Sequence, residues 1–162
     1  MAAKTGTYTL ISSTTVGTST ASVVFSSIPQ TYTDLVAVVT PSQGGDLWFQ
    51  LNADTSGAAT TYSSTWLYGS TPGSTRDSNT FKIYMNWSSN AGNYLGIIHF
   101  PDYANTTTYK TALIRNGMNG TSVDMGVGLW RNTAAISTIT FKGTNNYGVG
   151  SIIKLYGIEA AK

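Results

Sequence analysis

Residues 26–39 read SSIPQTYTDLVAVV. A polar corner, Pro29-Gln30-Thr31-Tyr32-Thr33, opens into an apolar run from Leu35 to Val39. Proline has no N–H to give to a sheet ladder, so Pro29 ends the strand that the pattern places over Ser22–Ile28. Asp34 heads the next strand, Asp34–Thr40, where its carboxylate is suited to accept hydrogen bonds from nearby backbone N–H groups. Tyr32 is read as a ring laid over the end of a sandwich, with its hydroxyl on backbone or water. The stretch is therefore a strand, a corner and a second strand.

The same rhythm runs through the chain. In NTFKIYMNW (79–87), Phe81, Ile83, Met85 and Trp87 alternate with Lys82, Tyr84 and Asn86, the period of two that marks a half-buried strand. Leu47, Phe49 and Leu51 alternate with Trp48, Gln50 and Asn52 in the same way. Further strands are expected at Tyr8–Val16, Ser64–Tyr68, Tyr94–Phe100, Lys110–Arg115, Asp124–Trp130, Ile136–Lys142 and Ser151–Ile158. Between them lie GG (44–45), STPGS (70–74), NAGN (90–93), NGMNG (116–120) and TNNYG (144–148), rich in the residues that tolerate positive φ. No window has a helical period with caps at both ends. About eleven short strands imply an all-β, antiparallel two-sheet sandwich or barrel. The uneven connections, with the long polar stretch Ala53–Ser63, favour a jelly-roll-like sandwich. Residues 1–162 are expected to form one domain, with 1–7 as an N-terminal arm.

Charged residues make up only 10% of the 162, where about 25% is usual. Neutral polar groups take their place: TYTLISSTTVGTSTAS (7–22) alone holds four Ser and six Thr. The net charge of +2 comes from scattered Lys and Arg with no basic stripe, so no nucleic-acid partner is expected. With no cysteine, folding needs no disulfide. The start MAAKTGTYTL lacks the apolar core of a signal peptide, and no stretch reaches the ~20 apolar residues of a membrane span. Release by cell lysis, as part of a virus particle, reconciles an outward-facing composition with the absence of an export signal.

No catalytic constellation stands out. The carboxylates Asp34, Asp46, Asp54, Asp77, Asp102 and Asp124 fall at strand ends and turns, where Asp caps and bends backbone, and Glu159 is nearly terminal. His99, the only histidine, sits beside Ile97 and Ile98 and reads as a packed or sheet-edge side chain; no G-x-S-x-G elbow accompanies it. One histidine and no thiolate argue against structural zinc. Asn52 and Asp54 are oxygen ligands of the type calcium takes, without a calcium-loop pattern. Gly126-x-Gly128 lacks the third glycine and the helix of a nucleotide loop, and reads as a bulge or close approach within a strand. Neither a cofactor nor a metal is expected. The aromatic residues are the candidates for contact: exposed Trp and Tyr anchor protein interfaces and stack on sugar rings. Trp48 and Trp66 are the sugar-stacking candidates; Tyr8, Tyr32, Trp48, Trp66 and Tyr109 are the partner-contact candidates.

Five segments in order, FSSIPQTYTDLVAVV (25–39), YSSTWLYG (62–69), TTTYKTALIRN (106–116), GLWRNTAAISTI (128–139) and IIKLYGIEAAK (152–162), resemble a family of small virion proteins of tailed phages, common in aquatic phage genomes. The resemblance spans nearly the whole chain and is weakest at 53–63 and 84–103. It brings no catalytic residues. It implies a non-enzymatic structural role without placing the protein on the particle; the near-neutral Thr/Asn/Gly composition favours a capsid decoration or cement protein bound to the major capsid protein or other virion proteins. The alternatives are a tail-fibre or receptor-binding module, or a carbohydrate-binding module. A homo-oligomer, with a trimer favoured, is expected in the virion, assembled in the host cytoplasm and released by lysis.

Overall fold

The computed structural model describes residues 7–43, 45–55, 61–69, 73–86, 94–118 and 122–159. All its regular structure is β, in twelve antiparallel strands: β1 (Tyr8–Thr15), β2 (Thr20–Phe25), β3 (Asp34–Thr40), β4 (Leu47–Leu51), β5 (Tyr62–Tyr68), β6 (Gly73–Thr80), β7 (Ile83–Asn86), β8 (Tyr94–Phe100), β9 (Lys110–Met118), β10 (Ser122–Trp130), β11 (Ile139–Tyr147) and β12 (Ile152–Ile158). They form an eight-stranded sheet, β1-β12-β3-β8-β9-β10-β5-β6, and a four-stranded sheet, β2-β11-β4-β7.

The pairing is nested. The outermost strands of the sequence pair first, β1 with β12 and β2 with β11, and the inner ones follow, β3 with β8 and β4 with β7. A long hairpin folded over on itself gives this order, which is the jelly roll. Two further hairpins, β5–β6 and β9–β10, pair with each other through β5 and β10 and extend the larger sheet beyond β8.

Inward-facing residues of both sheets build one core. Leu35, Ala37, Val39, Ile98, Phe100, Ile114, Ile153 and Leu155 meet Phe25, Leu47, Phe49, Leu51, Ile83, Met85, Ile139 and Phe141. Phe49 and Phe100 join the layers edge-to-face, 5.4 Å between centroids. Buried polar groups tie the layers where strands end. Tyr62 Oη accepts from Leu51 N–H at 3.0 Å, while Tyr94 Oη and Asn116 Nδ2 donate to the Met85 carbonyl at 2.9 and 2.8 Å.

The opening corner is held from several directions. Ile28 is buried and its N–H donates to Ser137 O; Gln30 Nε2 donates to Ile28 O and Ile136 O; Tyr103 Oη donates to Pro29 O. Tyr32 lies over Gly157: a Cβ there would come within 2.3 Å of the ring, so only glycine permits the contact. Asp34 Oδ1 accepts from Asp102 N–H at 2.9 Å, a partner from the β8–β9 connection rather than a local one. Gly126 and Gly128 are close approaches of the same kind, beneath Trp66 and Ile83.

Some expectations need correction. The strands number twelve, because β6, GSTRDSNT, has no apolar residue to reveal it. Residues 79–87 are not one strand. Asn79, at φ 62°, is the extra residue of a bulge opposite Tyr62 and Ser63; β6 ends one residue later at Thr80, and β7 starts afresh at Ile83. Ile83 and Met85 share the buried face, but Phe81 is exposed and Lys82 buried, the reverse of the alternation read from sequence. Trp87 lies outside the described residues, as do residues 1–6 of the expected arm. Thr7 already belongs to the sheet margin, its carbonyl accepting from Glu159 N–H. Of TNNYG, read as a turn, residues 144–147 are the last part of β11 and only Gly148 lies beyond it.

Burial of the Tyr62, Tyr94 and Tyr147 hydroxyls pushes their pKa values above the ordinary 10.0. The unfolded chain therefore releases these protons first as pH rises, and native stability must fall progressively above about pH 10 while being indifferent to them below it. Alkaline titration is expected to give a cooperative step in tyrosinate absorbance that coincides with loss of the β-sheet spectrum. Gradual, non-cooperative ionisation of all ten tyrosines without unfolding would contradict it.

Candidate functional site

The inner face of the eight-stranded sheet is core; its outer face is the surface that calls for explanation. Cross-strand register lays the outward side chains in transverse rows. One row runs Leu10, Tyr156, Val36, His99, Leu113, Val127, Thr65, Arg76. The next runs Ser13, Lys154, Val38, Ile97, Arg115, Met125, Leu67, Ser74. Tyr8 and Ile158 flank them at the β1 side, with Asp34 opposite Ile158. Leu95, Leu113, Val123, Met125, Val127, Leu67 and Leu10 are each about half exposed or more, Val123 reaching 72%. Monomers rarely expose contiguous apolar surface beyond a few hundred Å², and patches of that size mark interaction sites.

The local sequence explains why this face is apolar. LVAVV in β3 and LGII in β8 carry apolar residues at both parities, while MGVGL in β10 gives its inward positions to Gly126 and Gly128 and turns Met125 and Val127 outward. Alternation would have left one side polar; continuous runs furnish both sides of the strand. The face is not flat. A trough of about 470 Å³ runs between β5, β9 and β10 over Leu67, Leu113, Met125 and Val127. A second, about 340 Å³, lies over Tyr8, Val36, Ile97, Tyr156 and Ile158. His99 and Arg115 line both, so they stand on the ridge between them.

His99 Nε2 lies 2.9 Å from Asp34 Oδ2, and Asp34 Oδ1 takes the Asp102 N–H. No hydroxyl among the described residues bonds to the imidazole. Arg115 is exposed and makes no ion pair among the described residues.

The five candidates read from sequence do not converge. Tyr8, 58% exposed, belongs to the apolar face and meets Tyr156 edge-to-face. Tyr32 is half-buried on Gly157 at a corner, and Tyr109, 56% exposed, stands just before β9; neither is in the rows. Trp66 is a correction: at 2% exposure, its ring packed on Gly126, it has no surface to offer. Trp48 lies on the outer side of the four-stranded sheet as expected, but its ring is taken. Lys82 Nζ sits 3.9 Å from its centroid, with Tyr84 at 4.4 Å and Phe81 at 4.9 Å completing a cage of aromatic rings. A sugar ring would have to displace that ammonium. What sequence reasoning missed is the aliphatic field of Leu67, Leu95, Leu113, Val123, Met125 and Val127; the available signal was the continuous runs LVAVV and LGII and the alternation of Val123, Met125 and Val127 with Asp124 and Gly126.

The oxygens considered for calcium are occupied by the fold. Asn52 Oδ1 accepts from the Ser137 and Thr138 N–H groups, and Asp54 Oδ2 accepts from Trp130 Nε1 at 2.9 Å. Among the described residues no three His, Cys, Asp or Glu side chains gather into a metal-binding group. Another cation away from water, Lys110, donates to the Thr108 and Thr133 carbonyls at 2.8 and 3.0 Å; desolvation lowers its pKa, and it serves as a strut.

No family model matches the chain, and no curated protein matches it. Among solved structures it is similar to a human SPRY domain, at 8% identity and a TM-score of 0.36, over 96% of this chain and 99% of that one.

The Lys82 cage yields a direct test. Lys82→Ala is expected to uncover Trp48, raising quenching of tryptophan fluorescence by acrylamide and lowering stability by about 0.5–2 kcal/mol through the lost cation–π contacts. Unchanged quenching would mean that Trp48 is open to ligands in the parent protein.

Proposed function

We propose that the chain is a non-enzymatic structural module of a tailed-phage particle, attached to neighbouring virion proteins through the apolar outer face of its eight-stranded sheet. The observation that carries the attachment is the pair of transverse rows just described, which leave aliphatic side chains of four adjacent strands, β8, β9, β10 and β5, on one surface. A standard protein interface takes about 800 Å² from each partner, more than any one of these side chains supplies, so the rows must act together. The resemblance of the ordered segments at 25–39, 62–69, 106–116, 128–139 and 152–162 to phage virion proteins supports the setting.

Capsid decoration is the role this surface suits best. With few charges, long-range steering is weak, and binding rests on apolar burial and neutral hydrogen bonds. A module of this kind works in several linked copies, a trimer in our reading, which gain avidity from effective concentration. Attachment then survives moderately raised salt, which screens charge and hardly affects apolar burial.

Two outcomes are expected. Particles lacking the protein assemble but break at lower temperature than complete ones. Adding back the Leu67→Ser, Met125→Ser double variant fails to restore heat resistance, although the variant melts within a few degrees of the parent because both side chains are already solvent-exposed. Particles that lack the protein, stay fully heat-resistant and lose only host adsorption would replace decoration by receptor binding.

A further inference from the structure

We propose that the surface seated on this face belongs to a different protein and presents a carboxylate to Arg115, beside an apolar side chain that fills the trough over Leu67, Leu113, Met125 and Val127. This deepens the attachment reading above and rests on it.

The argument starts from where the charges stand. Arg115 is central, between Ile97 and Met125 in its row, with Leu113 two residues away on the same face. Any partner that covers the aliphatic side chains must also cover the guanidinium. A purely apolar partner would strip it of water and return nothing, which is strongly unfavourable. A carboxylate meets the planar fork with two parallel hydrogen bonds and removes the penalty. The face has no anion of its own to lend: Asp34, the carboxylate at its margin, is engaged by His99 and by Asp102 N–H. Lys154 and Arg76, in the same two rows, keep the field positive.

These facts also separate the occupants. A second copy docked by the same face would bring no free carboxylate and would set Arg115, Lys154 and Arg76 against their equivalents. A lipid surface favours cations at the rim of the apolar area, where long side chains reach the headgroups. Arg115 is in the middle and would be carried toward the acyl chains. A protein ridge with one acid and one aliphatic or aromatic side chain fits both the charge and the trough.

The test uses the full-length protein and particles that lack it. Arg115 is exposed and without an ion pair, so Arg115→Ala, Arg115→Glu and Arg115→Lys are expected to fold and melt like the parent. Truncating one partner of a charge pair that becomes buried costs 2 kcal/mol or more, so Arg115→Ala should weaken rebinding by at least about 30-fold. Arg115→Glu should abolish rebinding, and Arg115→Lys should retain part of it, since the charge is kept and the bidentate fork is lost. Carbodiimide treatment of particles decorated with Arg115→Lys should then join residue 115 to an Asp or Glu of another virion protein, read by mass spectrometry. Parent-like rebinding by Arg115→Glu overturns the inference and leaves the attachment reading standing. Failure of the folded parent protein to rebind at all overturns the attachment reading itself. A cross-link to a second copy of this chain, or no cross-link at residue 115, overturns the choice of partner. So does Arg115-dependent binding to phosphatidylglycerol vesicles.

Discussion

The pairing of the two ends of the chain is the constraint on which the rest of the molecule depends. β12, the last strand, lies between β1 and β3, and β11 lies between β2 and β4. Neither sheet is complete until the C-terminal strands arrive. Such distant pairings require large loops to close before any contact rewards them, and the closure cost grows only slowly with loop length. What offsets it is a core shared by strands from both ends: Ile153 and Leu155 of β12 with Leu35 and Ala37 of β3, and Ile139 and Phe141 of β11 with Phe25 of β2 and Phe49 of β4. Corner residues then act as fasteners between distant segments. Gln30 bonds Ile136, Thr33 N–H bonds Ile158 O, and Tyr103 bonds Pro29.

The two added hairpins change what this scaffold offers. A plain jelly roll has two sheets of four strands; here β5–β6 and β9–β10 both extend one of them. Their inner residues remain core. Trp66 covers Gly126, Ile83 of the opposite sheet reaches Gly128, and Tyr62 stacks on Trp130 at 6.3 Å. Their outer residues continue the apolar rows begun by β3 and β8. The edge is closed by β6, whose polar side chains, with Arg76 and Asp77, discourage the strand addition that an apolar edge invites. The chain protects its margin and leaves its broad face open.

Much of this fold is legible from local pattern because sandwiches are built from local pattern. The alternation at 47–51 and the glycine close approaches at 126 and 128 follow from rules of period and sterics, and the nested topology suits the uneven connections; the corner at 26–39 follows in outline, although β2 already ends at Phe25, before Pro29 can end it. Two kinds of feature were not legible. Strand β6 is held by its neighbour's backbone and has no apolar side to announce it. Lys82 and Phe81 exchange the positions that period two assigns because the bulge at Asn79 and the jump between sheets reset the phase. The site was harder still. Attention to Trp and Tyr singled out Trp66, which the core consumes, and Trp48, which Lys82 covers. The exposed field is aliphatic, and only the assembly of four strands in register makes separate half-exposed residues into one field.

The treatment of positive charge gives that field its meaning. Elsewhere this fold matches cations internally when it draws them away from water. Lys110 takes two backbone carbonyls, and Lys82 takes three aromatic rings. Arg115 follows the opposite pattern: it is surrounded laterally by Ile97, Leu113 and Met125, yet has no ion pair among the described residues and remains hydrated only because the face is open. A guanidinium set among aliphatic side chains is tolerable in the free chain and costly under a partner that does not answer it. The same residue is therefore neutral to folding and selective in binding. It rejects apolar surfaces at large, including a second copy of the same face, and admits one that brings a carboxylate to the ridge between the two troughs.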